Sequence, residues 1–140
     1  MSQALKSMHT LHAVFAVCLG ASLGALARWQ LGLWLNHPGA WMPWGTLAAN
    51  LIGGYIIGVV GGIFLFYPGL NPIWRLLLVT GMMGGLTTFS SFSAEVVEMM
   101  VAQRWSAALS EIALHVGGSF ALTYAGLRSA RWLLPYVVHG

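Results

Sequence analysis

The chain has 140 residues, of which 58% are hydrophobic and 6% are charged, and its mean hydropathy is +0.77. A soluble domain usually carries about 25% charged residues, so this composition predicts a membrane protein. The formal net charge of +3 comes from scattered Lys and Arg residues without a basic stripe, and we therefore expect no nucleic-acid partner. The single cysteine, Cys18, excludes a disulfide framework.

The first apolar stretch, which follows Lys6, imitates a secretory signal peptide, since "ALA" at 25–27 is similar to a cleavage site. The stretch is rather long for a signal peptide, and cleavage would leave Arg28 at the new N-terminus. We therefore interpret it as a retained membrane span. Residues 1–10, which lie before it, are expected to be partly disordered.

Four apolar runs match the roughly 20 residues that a helix needs to cross a bilayer. They predict one all-α membrane domain over residues 1–140. The links "NHPGAWMP", "PGLNP" and "AQRW" are short and carry turn residues, which places neighbouring helices antiparallel. The predicted spans cover about residues 11–35, 44–67, 73–101 and 106–127.

An even number of spans places both termini on one side of the membrane. The positive-inside rule then gives only a weak orientation signal, with four cationic side chains against two. A chain with so small a difference can insert in either orientation. The alternative is that it inserts in a single orientation, which the charge count does not identify. Lys6, Arg75, Arg128 and Arg131 lie on the side of the termini, and Arg104 and Arg28 lie on the other.

Glycines recur four residues apart in "GASLG", "GYIIG", "GVVGG" and "GMMGG". Small residues at this spacing allow helix backbones to approach closely in a membrane. The pattern predicts tight helix packing and says nothing about chemistry.

Polar residues inside the predicted spans need a partner or a function, because lipid satisfies no hydrogen bond. Many of them only bind a neighbouring helix, and we interpret Thr123 or His115 alone in this way. Several share a helix face, since they lie four residues apart. They are Thr46 and Asn50 in the second span, and Glu111, His115, Ser119 and Thr123 in the fourth.

The third span is predicted to break near residues 84–88, because its glycines and the following Thr and Ser residues disfavour a continuous helix. The first half-helix then ends in free carbonyls that suit a cation, and the second begins with free N–H groups that suit an anion. Phe89 and Phe92 share a face of the second half, and aromatic ring edges are partially positive. With N–H donors from Asn50 and a hydroxyl from Ser119, this set favours the passage of a small anion.

Three motifs resemble those of the Fluc (CrcB) family of fluoride channels: "GASLGALARW", "GTLAANLIGG" and "GLTTFSSFSAE". The resemblance covers about residues 11–127, and the third motif is the most specific. Departures from the family pattern are Ala21 in place of a glycine, Trp29 in place of Tyr and Ser91 in place of Thr.

The resemblance implies an antiparallel, dual-topology homodimer in the bacterial inner membrane, with two fluoride pores and a central structural sodium ion. Passive export of fluoride from the cytoplasm would give fluoride resistance. Glu95 matches the acidic position of the third motif, without an assigned role. The implied site residues are Asn50, Phe89, Phe92, Ser119 and Thr46 for the pore, Arg28 for a vestibule, and the carbonyls of Gly84 and Thr87 for sodium.

Three other functions are compatible with parts of the sequence. A small dual-topology multidrug or cation exporter needs a carboxylate in its first span, where this chain has Arg28 and no acid. A membrane enzyme could use His115 with Glu111 for acid–base chemistry, but no nucleophile or metal cluster accompanies them. A structural subunit would explain the glycines but not Asn50 together with the two phenylalanines. We therefore predict a channel and no enzyme.

Overall fold

A computed structural model describes the backbone of residues 3–134 and the side chains of residues 8–134. All regular elements in this part of the chain are helical, which confirms the predicted all-α class. The elements are α1 (Gln3–Leu35), α2 (Trp44–Phe66), α3 (Pro72–Arg75), a π-helical segment (Leu76–Met83), α4 (Gly84–Leu86), α5 (Phe89–Val101) and α6 (Trp105–Leu133).

Within the described part of the chain, three helical stretches are long and apolar enough to cross a membrane. They are Met8–Leu35, Trp44–Phe66 and Pro72–Val101. Helix α6 has 29 residues, which at 1.5 Å per residue gives a length of about 44 Å, but it is not among these three stretches. Its composition is less apolar than that of the other three, because it carries a buried glutamate and two arginines near its end.

The N-terminal residues differ from the expectation of partial disorder. Helix α1 begins at Gln3, so that expectation is wrong for residues 3–10. Gln, Ala, Leu and Lys are good helix formers, and they extend the membrane helix towards the N-terminus. Residues 1–2 lie outside the described part of the chain.

The segment Leu76–Met83 is wound as a π-helix rather than an α-helix. Such wider turns are rare and are frequently found at functional sites. The segment packs against α1, where a Cβ atom on Gly81 would lie only 2.7 Å from the carbonyl oxygen of Val17. The sequence did not predict this winding.

The close helix packing predicted from the glycine spacing is confirmed between α1 and the third helical stretch. A Cβ atom on Gly24 would overlap the carbonyl oxygen of Met82, and one on Gly85 would overlap that of Ala21. Because a backbone carbonyl cannot move aside as a flexible side chain can, only glycine permits this separation of the two backbones.

The same packing joins α2 to α6. A Cβ atom on Gly58 would overlap the carbonyl oxygen of Thr123, and one on Gly126 would overlap that of Tyr55. The two helices therefore contact each other through backbone atoms, and their mutual register is strongly constrained.

Replacing Gly58 by Ala is expected to destabilise the fold by about 1–3 kcal/mol, the usual cost of an overpacked core. Gly61→Ala is the matched control in the same helix, because a Cβ atom there would meet no atom within 4 Å. Thermal unfolding of the purified protein in detergent measures both effects. A Gly58→Ala variant as stable as the Gly61→Ala variant would contradict the predicted overlap.

Candidate functional site

The polypeptide leaves helical geometry at Thr87 and Thr88, between α4 and α5. Thr87 has φ −81° and ψ 150°, and Thr88 has φ −149° and ψ 121°, so both are extended. Asn50 of α2 satisfies the exposed backbone. Its Oδ1 accepts a hydrogen bond from the N–H of Thr88 at 2.7 Å, and its Nδ2 donates to the carbonyl of Thr88 at 3.0 Å. One carboxamide thus replaces the helical partners of this residue.

The hydrogen bond to Asn50 also changes the end of α4. In a continuous α-helix the N–H of Thr88 would bond to the carbonyl of Gly84. Because that N–H donates to Asn50, the Gly84 carbonyl loses its helical donor. The N–H and hydroxyl of Thr87 both donate to the carbonyl of Met83, at 2.9 and 2.8 Å.

Helix α5 then begins with a side-chain cap. The hydroxyl oxygen of Thr88 accepts from the N–H of Ser91 at 3.2 Å, which is a typical N-cap bond. The N–H groups of Phe89 and Ser90, which precede Ser91 in the first turn, have no partner inside the helix, so they are donors available near the break.

The second N–H of Asn50 reaches α6, where Nδ2 lies 3.0 Å from Nδ1 of His115. An amide nitrogen cannot accept, so Nδ1 of His115 is the acceptor, and a neutral ring carries its hydrogen on Nε2. The sequence predicts two free N–H donors at Asn50, whereas in the structure protein atoms accept from both. The amide therefore joins α2, the break and α6.

The two predicted phenylalanines lie side by side next to this amide. Their ring centroids are 5.6 Å apart with a tilt of 58°, and the ring of Phe92 stacks on His115 at 4.5 Å. Phe92 is 9% exposed, whereas Phe89 is 78% exposed. One ring thus belongs to the interior of the chain, and the other lies on its outer surface.

A first cavity of about 290 Å³ lies at this break. Four of the five predicted pore residues line it, namely Asn50, Phe89, Phe92 and Ser119. His115 also lines it, although the sequence predicted only a packing role for this residue taken alone. The spacing of four between His115 and Ser119 was the sequence signal that could have placed both at one site.

The fifth predicted pore residue, Thr46, is not part of the lining of the first cavity. It is buried, and its hydroxyl donates to Oε1 of Glu95 at 2.6 Å. Glu95 in turn lines a second cavity of about 490 Å³, next to the link between α1 and α2. Thr46 and Glu95 thus lie between the break and this second cavity.

A different arginine from the predicted one lines the second cavity. Arg28 is half-buried in α1 and is not part of the lining of either cavity. Arg104 lines the second cavity, and its guanidinium donates to the carbonyls of Ala40, at 3.3 Å, and Trp41. Of these two arginines, Arg104 is therefore the one that lines this cavity.

Glu111 of α6 completes a connected set of polar side chains between the cavities. We call this set, which consists of Thr46, Glu95, Glu111, His115 and Asn50, the polar core. Glu111 is 1% exposed, its carboxyl group interacts with that of Glu95, and its Oε1 lies 3.8 Å from Nε2 of His115. Among the described residues, both carboxyl oxygens of Glu111, Oε2 of Glu95 and Nε2 of His115 have no hydrogen-bond partner. Four unpaired polar atoms thus meet at one buried place.

Comparison with known proteins identifies the family. The sequence profile described as CrcB-like protein, Camphor Resistance (CrcB), matches residues 15–127. The chain belongs to the CrcB family. The region that matches the CrcB profile includes every residue that lines the first cavity.

Curated CrcB relatives are similar over most of this chain. A protein of Albidiferax ferrireducens is 57% identical over 129 residues, which are 92% of this chain and 98% of the relative. A protein of Paracidovorax citrulli is 58% identical over 121 residues, or 86% of this chain and 95% of the relative. A third, from Variovorax paradoxus, is 58% identical over 120 residues, again 86% and 95%. All three are named fluoride-specific ion channel FluC.

Asn50→Leu is expected to loosen the break in this CrcB-family chain. It leaves the buried N–H of Thr88 unsatisfied, which costs about 1–3 kcal/mol. Hydrogen–deuterium exchange at the start of α5 should become about 5- to 150-fold faster, since 1.4 kcal/mol corresponds to a factor of ten. Ser119→Ala is the control, because it alters the same cavity without removing a hydrogen bond to the described residues. Equal protection in both variants would contradict the bracing role of Asn50.

Proposed function

We propose that this chain is a fluoride-selective channel, through which fluoride leaves the cytoplasm passively and the cell gains fluoride resistance. The proposal rests on the identity of 57% to a fluoride-specific ion channel over 92% of the chain. The protein is an integral membrane protein with three helical stretches able to span a bilayer. The prediction that it is not an enzyme is confirmed, because its relatives are named ion channels.

The chemistry of the first cavity supports passage of a small anion. Moving even a carboxylate-sized ion into a low-dielectric medium costs on the order of 20 kcal/mol, so a pathway has to replace water with donors. The hydroxyl of Ser119, the free N–H groups of the first turn of α5 and the ring edges of Phe89 and Phe92 are such donors. None of them carries a full positive charge that would trap the ion.

Asn50 and Thr46 have supporting parts in this proposal. Asn50 acts first by fixing the break, which orients the first turn of α5 towards the first cavity. Thr46 lies one helical turn earlier and bonds to Glu95 at the side of the second cavity. We propose that fluoride passes both groups on its way between the two cavities.

We further propose an antiparallel, dual-topology homodimer with two pores, in the bacterial inner membrane. Phe89 is exposed in a single protomer, so an anion site that uses its ring is open on one side. This exposure supports a partner subunit on that side. In this arrangement α6 is the fourth span, and the even number of spans places both termini on the same side. Arg28, which faces neither cavity of one protomer, would contribute to a vestibule built by both.

The residues at the break fit the structural sodium ion that this architecture implies. The Gly84 carbonyl has lost its helical donor, and Thr87 is extended, so two backbone oxygens leave the usual helical pattern. Carbonyl oxygens can replace the hydration shell of an alkali cation. We propose that Gly84 and Thr87 of both protomers hold Na⁺, which would supply a fixed positive charge at the centre of the dimer.

Liposomes that contain the purified protein and are loaded with fluoride or chloride test the channel function. An ion-selective electrode should record rapid passive loss of fluoride without loss of chloride. Phe89→Ile and Asn50→Ala are expected to lower the fluoride flux by at least about tenfold, because loss of a hydrogen bond or ring contact of about 1.4 kcal/mol has that effect.

Phe120→Ile is the matched control for Phe89→Ile in this assay. Phe120 is 73% exposed on α6 and does not line the first cavity. Its replacement should leave fluoride flux unchanged. Absence of fluoride flux from folded wild-type protein would overturn the channel function and favour a small cation exporter.

Removal of Na⁺ is expected to destabilise the dimer. A ligand present at about 100 times its dissociation constant stabilises the form that binds it by about 2.7 kcal/mol. Thermal unfolding in buffers that contain Na⁺ or an equal concentration of N-methylglucamine measures this difference. The same midpoint in both buffers would exclude a structural sodium ion and leave the channel function unaffected.

A further inference from the structure

The buried group of Glu95, Glu111 and His115 separates the two cavities. Glu95 lines the second cavity, His115 lines the first, and Glu111 interacts with both of these residues. Glu111 and His115 are 1% and 5% exposed. The group therefore connects the lining of one cavity to the lining of the other.

The unpaired atoms of the group need protons or a ligand. The described residues offer no donor to either oxygen of Glu111 or to Oε2 of Glu95, and no acceptor within hydrogen-bond distance of Nε2 of His115. Two carboxyl groups in contact away from water cannot both stay ionised, because their mutual repulsion is not screened. A proton held between the two carboxyl groups would relieve this repulsion and provide an O–H donor.

His115 connects this proton to the first cavity. Its Nδ1 accepts from Asn50 only while that nitrogen carries no hydrogen. Protonation of the ring would break this bond and release one N–H of Asn50 into the first cavity, where Phe92 is stacked on the same ring. The released amide and the imidazolium would both be donors for an anion.

We infer that Glu111 and His115 are positioning residues for fluoride. Together with Glu95 they form the wall between the two cavities and hold protons there, and the wall admits the anion when it gains a proton. This inference rests on the proposed fluoride channel. With all three groups in their basic forms, the wall carries two negative charges that repel fluoride. Each proton bound removes negative charge and adds a donor, so fluoride flux rises as pH falls.

Other charged groups face this wall from the elements around it. Glu98 of α5 interacts with Glu95 and lines the second cavity together with His37 and Arg104. Among the described residues of α2, Thr46 and Asn50 form hydrogen bonds to the group, and neither changes its charge over the physiological range. The two acids of the wall and its histidine thus determine its charge, and the groups at the second cavity modulate it.

The test is fluoride efflux from liposomes with the same pH inside and outside, over the range of about 5.5 to 8.5, in which unperturbed histidine titrates. Leakage from protein-free liposomes is subtracted at each pH, because HF crosses lipid by itself. Wild-type flux should rise by up to about tenfold per pH unit towards acid, the limit for one proton.

Variants of similar shape separate this role from a purely structural one. Glu111→Gln keeps the size of the side chain and cannot ionise, so its flux should be nearly independent of pH and at alkaline pH exceed that of the wild type. His115→Asn keeps an acceptor for Asn50 but does not titrate, so it should conduct with a weaker pH dependence, whereas His115→Leu should lose flux at every pH. His12→Gln is the control and should keep the wild-type profile, because His12 is exposed on α1 and lines neither cavity.

Infrared spectroscopy of the same samples detects the shared proton directly. The C=O stretch of a protonated carboxyl group should be present at neutral pH in the wild type and absent or shifted in Glu111→Gln. Wild-type flux that does not change with pH, or a Glu111→Gln profile equal to that of the wild type, would overturn the inference while the fluoride channel stands. Absence of flux at every pH would overturn the proposed function itself, and the conduction role of the wall with it.

Discussion

The hydrogen bonds between Asn50 and Thr88 are the interaction on which the rest of the site depends. In lipid, a helix can be interrupted only where other protein groups satisfy the released backbone N–H and C=O groups. A carboxamide satisfies one of each, which neither a hydroxyl nor a carboxylate can do with the same geometry. Because this pair is satisfied, α5 can begin with free N–H groups and α4 can end with the carbonyl of Gly84 released.

Glycine contacts make that interaction possible. Asn50 can reach Thr88 and His115 only if α2 lies close to both the third helical stretch and α6. The backbone contact of Gly58 with Thr123 provides this proximity on one side. Helices in lipid gain little from hydrophobic contrast, so dense van der Waals contact of this kind determines their register. Packing and site are therefore parts of one arrangement.

The polar core connects ionisable and hydrogen-bonding side chains of three helices, α2, α5 and α6. From Thr46 it continues through Glu95 and Glu111 to His115 and returns to α2 at Asn50. The polar core begins and ends on α2, at Thr46 and Asn50, which lie one helical turn apart. Small movements of α6 would therefore affect both residues. Buried networks of this kind are strongly coupled, because each group changes the electrostatic field that acts on the others in a medium of low dielectric constant.

Composition and hydrophobic runs determined the all-α membrane class, and the four-residue spacing of glycines indicated tight helix packing. The three motifs identified the family, which the matched region confirms. The polar and aromatic residues inside the predicted spans also indicated Asn50, Phe89, Phe92 and Ser119, four residues that line one cavity. Each of these signals is local, since it needs only residues of a single helix.

Contacts between distant helices were decided only by the tertiary structure. The structure brought Glu95 of α5 to Glu111 of α6, and it gave both N–H groups of Asn50 an acceptor. It also placed His115 at the first cavity, and Arg104 rather than Arg28 at the second. The physical reason is that helical periodicity defines which residues share a face, but not which faces of separate helices meet. That choice depends on backbone packing between segments that are many residues apart in the chain.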